Sequence, residues 1–146
     1  MRRVLVSSPR YLASRPSPRV PTDLAGWDMI QLSARPPTIT LERPSKKRTA
    51  PPRESVTIAP PPRIAVDSAT GIRELVLAGI GLAALPEVLV QRELERGRLV
   101  EVLPSWRLPL LGVYAVWPDN TQRPGLTLRF VEFISPRLLT LFGAAD

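Results

Sequence analysis

The chain has 146 residues, 44% of them hydrophobic and 23% charged, the balance of one globular domain with a genuine core. It has no cysteine and no histidine, which excludes disulfides, thiolate nucleophiles, Cys/His zinc sites and histidine-based triads. The net charge of +7 comes from 18 Arg and 2 Lys spread along the chain; without a helix-turn-helix pattern or an aromatic–basic stacking surface, it does not point to direct DNA contact.

No apolar run approaches the ~20 residues that a membrane helix needs. Met1-Arg-Arg leads into only three apolar residues, too few for a signal-peptide core. A cytoplasmic protein without a cofactor is therefore expected. No pair of acidic residues suggests general acid–base work, so recognition is favoured over catalysis.

Residues 3–7 alternate as a first strand. Ser8 and Pro9 make an N-cap and N1 pair for a short helix through Leu12. Pro16, Pro18 and Pro21 hold the next segment extended, because each fixes φ and lacks a donor. Residues 22–26 are one helical turn stopped by Gly26, and residues 29–32 are a short apolar strand. Residues 38–42 and 54–59 alternate as the arms of an antiparallel hairpin. The loop between them carries Pro44, Pro51, Pro52 and the densest basic run, Lys46-Lys-Arg48. Pro60-Pro-Pro62 is a stiff connector unsuited to a central ladder.

The stretch from Arg63 to Pro86 organises the rest. Ile64 and Val66 alternate as in a strand. Asp67, Ser68 and Thr70 favour a helix start. Ile72, Leu75, Val76 and Gly79 then recur at i, i+3, i+4 and i+7, one face of a helix. Gly79 suits a left-handed cap, residues 81–85 suit a buried strand, and Pro86 can open the following helix. The order strand, helix, strand, helix predicts an α/β unit on a parallel sheet.

A helix starting at the carboxyl end of a parallel strand aims free backbone N–H groups at a crevice. Such a place suits a carboxylate or another small anion. Two readings of Ser68 stay open: capping its own helix, which spacing alone favours, or meeting that anion.

Beyond Pro86, residues 87–95 predict a helix with Val88, Leu89 and Leu94 inward, ended by Gly97. Residues 99–103 read as a strand closed by Pro104, residues 106–109 as a crossing between lobes, and residues 111–117 as an apolar strand. Pro124 opens a helix with Leu126, Phe130, Val131, Phe133 and Ile134 as core candidates. Pro136 should kink or break it by removing a donor, leaving residues 138–142 as a further turn.

Five stretches in one order resemble the effector-binding domain of LysR-type transcriptional regulators. Leu77-Ala-Gly-Ile-Gly-Leu-Ala-Ala-Leu-Pro86, following a strand and Asp67-Ser68, is similar to that family's Ala-Gly-x-Gly-Ile-Ala-x-Leu-Pro segment. Val4-Leu-Val-Ser-Ser-Pro-Arg-Tyr-Leu12 resembles its opening Ala-Ser-Pro-x-Tyr-Leu, and Pro21-Thr-Asp-Leu24 its Pro-x-Asp-Leu turn. Gly97-Arg-Leu-Val-Glu-Val-Leu-Pro104 and Val113-Tyr-Ala-Val-Trp-Pro118 resemble its closing strands. The family's tryptophan-centred hairpin has no tryptophan here.

The resemblance implies an α/β fold, a periplasmic-binding-protein-like (type 2) lobe with a parallel or mixed sheet and the first lobe largely missing. Residues 1–107 would be the second lobe and residues 108–146 a return strand and helix belonging to the first. Family members also carry a winged helix-turn-helix head and a dimerising linker helix, for which this sequence shows no counterpart. Without the first lobe, Tyr114, Trp117, Phe130 and Phe133 would stay uncovered, each forfeiting roughly 1.5–3 kcal/mol.

The resemblance carries Ser68, Ala69, Thr70, Leu85 and Pro86 over as effector-binding residues. Ser7 and Ser8 either face the same crevice or serve as strand end and N-cap, the reading favoured locally. The expected partner is a small, carboxylate-bearing effector, with a second copy or a full-length regulator as a protein partner and neither DNA nor membrane contacted by this chain. The alternatives are a stand-alone interaction module and an inactive remnant of a truncated regulator gene. An enzyme using Ser68 or Ser7 lacks a base.

Overall fold

A computed structural model describes residues 1–45, 51–114, 116 and 125–142. The elements are β1 (Arg3–Ser7), α1 (Pro9–Leu12), a 3-10 turn (Pro21–Leu24), β2 (Met29–Leu32), β3 (Ile39–Arg43), β4 (Glu54–Ile58), β5 (Pro62–Val66), α2 (Ala69–Leu77), β6 (Leu82–Pro86), α3 (Glu87–Glu95), β7 (Val100–Glu101) and α4 (Gly125–Phe142).

Five strands form one sheet in the order β5-β2-β6-β1-β7, and β3-β4 form a separate hairpin. β2 is parallel to both β5 and β6, while β1 runs antiparallel to β6 and β7. The sheet is thus mixed, parallel where the β5-α2-β6 crossover passes over β2. Pro62 does open a strand, but at the sheet edge, where its missing N–H costs no ladder bond.

Alternating side chains bury both faces of this sheet. Val4, Val6, Ile30, Ala83 and Leu85 pack with Ile72 and Val76 of α2 and Val90 of α3. On the opposite face, Leu5, Met29 and Leu82 pack with Tyr11, Trp27, Trp106, Leu108 and the hairpin residues Ile39, Leu41 and Ile58. Strands covered on both sides read as nearly continuous apolar runs, as Leu82-Ala-Ala-Leu85 does. On α3 the buried positions are Val90 and Glu93, with Leu89 and Leu94 partly covered. Val88, expected inward, is exposed, since the helix begins one residue after Pro86 and is turned to set Val90 on the sheet.

Both helices over the sheet end in the same way. Gly79 has φ 78°, the Gly79 amide donates to Val76 at 3.0 Å, and the Ile80 amide reaches Leu75 at 3.2 Å. Gly97 (φ 66°) repeats the pattern with bonds from Gly97 to Leu94 and from Arg98 to Glu93. These are Schellman caps, and the left-handed residue is glycine because a positive φ strains any residue with a side chain.

The last third departs from expectation. Residues 111–114 and 116 form no strand, because no neighbouring strand offers them a ladder; residues 115 and 117 lie outside the described set. α4 runs unbroken through Pro136. Ser135 Oγ donates to the Val131 carbonyl at 2.6 Å and Arg137 Nη1 to the Phe133 carbonyl at 2.7 Å, on either side of the donor that proline removes. The expected core residues Leu126, Phe130 and Phe133 are exposed, Val131 and Ile134 are partly covered, and neither core cluster includes a residue between 125 and 140. Among the described residues, no helix is long and apolar enough to cross a membrane.

Candidate functional site

Parallel strands deliver their carboxyl ends to one rim, and connecting segments close over it. Here β2 ends at Leu32 and β6 at Pro86, while antiparallel β1 starts at Arg3, directly opposite Pro86. α2 begins above this rim, and its first turn contributes Ala69 and Ile72. The hairpin brings Thr38 and Thr40 across from below, and the chain returns over the top at Leu108, Pro109 and Leu111. These segments enclose a cavity of ≈ 340 Å³, room for a small metabolite.

Three contacts fix the roof. The backbones of Glu42 and Arg107 exchange both hydrogen bonds at 2.8 Å, tying the hairpin to the segment after Trp106. Arg3 donates from Nε and Nη2 to the Pro109 carbonyl at 3.3 and 3.0 Å. The Leu111 amide donates to the Met1 carbonyl at 2.9 Å.

The walls are apolar, with Ile30, Leu32, Ile72, Leu85 and Leu108 among them, and the polar groups are few: Gln31, Thr38, Thr40, Arg3 and Arg35. Among the described residues, no Asp or Glu lines the cavity. Arg3 has its pKa lowered, first by burial and then by the nearby Arg35 guanidinium. Two cations thus share one cavity, and among the described residues neither forms an ion pair.

Of the residues singled out from the sequence, Ala69, Leu85 and Pro86 line this cavity. Ser68 and Thr70 flank Ala69 but are exposed and not part of the lining. Ser68 is the N-cap: its Oγ accepts from the Gly71 amide at 3.3 Å. Capping leaves the Ala69 and Thr70 amides as first-turn donors without a helical partner. Ser7 and Ser8 do not share this site, because antiparallel β1 carries them to the opposite end of the sheet. There Ser7 Oγ donates to the Gly81 carbonyl at 3.0 Å, and Ser8 Oγ caps α1 by accepting from the Tyr11 amide at 3.3 Å. The alternative of strand end and N-cap is the one that the contacts match.

Sequence reasoning passed over Arg3, Arg35, Gln31, Thr38 and Thr40. One signal was present: Ser33-Ala-Arg35 directly follows the apolar strand that ends at Leu32, where loop side chains reach the rim of a parallel sheet.

The far end of β2 holds a second polar cluster. Asp28 accepts from the Tyr11 hydroxyl at 3.0 Å and pairs with Arg15 at 2.7 Å and Arg63 at 3.3 Å. Arg15 lies over the Tyr11 ring, 4.6 Å from its centroid. These groups answer one another's charge and hold α1, the start of β2 and β5 together. Among the described residues, no group of three or more acidic side chains could hold a metal ion.

A mixed sheet with a rim cavity of this form is that of a periplasmic-binding-protein-like regulatory domain, and the family comparison agrees. The model of the LysR substrate binding domain matches residues 1–138, so the chain belongs to that family. It is 38% identical over 138 residues to the HTH-type transcriptional regulator PtxR of Pseudomonas aeruginosa, covering 92% of this chain and 41% of that protein. A putative transcriptional regulator of the same organism is 26% identical, with 98% and 46% covered. The chain thus spans less than half the length of these curated relatives. Among solved structures, the full-length Vibrio cholerae virulence activator AphB aligns with a TM-score of 0.62 at 26% identity, covering 73% of this chain and 34% of that one. The AmpR effector binding domain from Citrobacter freundii shares the fold, with a TM-score of 0.51 at 19% identity, covering 95% and 64%.

Proposed function

We propose that this chain is the effector-sensing part of a LysR-type transcriptional regulator and that it holds a small carboxylate-bearing metabolite in the rim cavity. The observation that carries this reading is the cavity itself, apolar in its walls and, among the described residues, lined by two guanidinium groups with no carboxylate. Apolar walls take the carbon skeleton, and the few convergent polar groups fix the acid end. Ala69, Leu85 and Pro86 form part of the wall, and the free amides at the start of α2 add donors, with Ser68 and Thr70 at the mouth. An effector that binds one arrangement of the regulator better than another shifts that equilibrium. Binding therefore alters DNA contacts made elsewhere in the regulator rather than by this chain, which we read as cytoplasmic. Residues 1–107 are read as the second lobe and residues 108–146 as the part that returns to the first.

Thermal-shift measurement over aliphatic and aromatic acids tests this. At least one acid raises the midpoint of the intact chain, and Ala69→Phe, which fills the cavity from its wall, abolishes the rise. No shift with any acid, or an unchanged shift in Ala69→Phe, contradicts the proposal.

A specific observation favours a protein partner as well. Tyr114, Val116 and Leu126 are 85%, 90% and 88% exposed, large apolar side chains left without cover among the described residues. In this second reading a further copy or a full-length regulator covers them, and size-exclusion chromatography of the chain with such a regulator tests it.

A further inference from the structure

Arg3 and Arg35 come from different elements and open on the same cavity. Arg3 is fixed in β1, and its guanidinium is held in plane by two hydrogen bonds to the Pro109 carbonyl. A guanidinium has five N–H donors, so three remain after those bonds. Arg35 sits in the turn that closes β2, where its amide donates to the Leu32 carbonyl at 3.0 Å, and its exposed side chain stands at the cavity mouth.

We propose that the natural occupant of this cavity is a dianion, a small molecule with two acidic groups, one read by Arg3 within and the other by Arg35 at the mouth. This rests on the assignment of the cavity as the effector site and goes beyond it by fixing the charge of the ligand. With a monoacid bound, one guanidinium is compensated and the other still faces the cavity without a counter-charge. A second acidic group removes that like-charge cost and adds a charge-assisted, two-point contact. Gln31, Thr38 and Thr40 are left for neutral polar groups on the body of the ligand. A volume of ≈ 340 Å³ suits a short dicarboxylate or a monocyclic diacid.

Isothermal titration calorimetry on the intact chain, with probes that differ by one acidic group, tests the inference: butyrate against succinate, and benzoate against phthalate. In at least one pair the diacid binds about tenfold more tightly, roughly what one charge-assisted hydrogen bond contributes. Arg35→Gln, an exposed position outside both cores, removes the preference for the diacid. Arg3→Lys keeps a charge but loses the planar fork, and it reduces the preference too. Equal affinities within both pairs, or a preference that survives Arg35→Gln, overturn the dianion inference while leaving the cavity assignment standing. If none of the four acids binds, the cavity assignment falls and the inference falls with it.

Discussion

The carbonyl oxygen of Asp28 occupies the place that a Cβ on Gly81 would need, and the same oxygen accepts the Leu82 amide at 3.0 Å. The start of β6 can therefore lie against β2 only if residue 81 is glycine. Gly81→Ala is expected to cost about 2–3 kcal/mol, the range for forced backbone shifts in a packed core. Gly26→Ala, with open space around the added methyl group, should stay within about 0.5 kcal/mol of wild type. Urea unfolding of the two variants checks the contrast.

Trp106 is buried beneath Arg43, whose guanidinium lies 4.8 Å from the ring centroid, and its indole N–H has no partner among the described residues. Trp106→Ala should cost about 3–5 kcal/mol through lost packing. Trp106→Phe loses some volume but also removes an unsatisfied buried donor, so the two effects offset and the net change stays within about 1.5 kcal/mol. Equal losses in the two variants, by thermal unfolding, would contradict this account of the position.

Partial burial alone would raise the Asp28 carboxyl, but the Tyr11 hydroxyl and the guanidiniums of Arg63 and Arg15 outweigh it and hold it below its ordinary value. A carboxyl depressed in the folded state stabilises at pH values above its unfolded pKa, and that stability is lost as pH falls through the folded one. Asp28→Asn should thus lower stability at neutral pH by roughly 1–2 kcal/mol. It should also flatten the further loss on acidification below the ordinary carboxylate range. Unfolding curves across acid pH test this, and an undiminished acid loss in Asp28→Asn would count against it.

α4 contributes to neither core, so Phe133→Ser should change the stability of the folded sheet by no more than about 0.5 kcal/mol. Leu24→Ala, within the core, should cost about 2–5 kcal/mol. Fluorescence of the buried Trp27 and Trp106 during urea unfolding reports the difference.

These contrasts show which features a sequence carries by itself. The segment from Ile64 to Pro86 was legible because each signal there is local: an N-cap at Ser68, an apolar stripe through Ile72 and Val76, and a left-handed glycine at Gly79. The direction of β1 was not, since nothing within β1 tells that it will run antiparallel to β6. That reversal decides that Arg3 faces the cavity and Ser7 and Ser8 do not. α4 was read as a core helix because its apolar residues are dense, and density alone does not say what a helix packs against. Arg35 escaped notice because a single arginine in a turn carries no pattern until the fold sets it beside Arg3.

The most direct test of the rim cavity as a binding site is an amide chemical-shift titration of the intact chain with a carboxylate that raises its thermal midpoint. The account predicts that the largest shifts cluster at Gln31, Thr40, Ala69 and Leu85, with Ser7, Ser8 and Tyr11 at the other end of the sheet nearly unmoved. Shifts centred on Ser7 to Tyr11, or scattered over the surface with the rim silent, would contradict it.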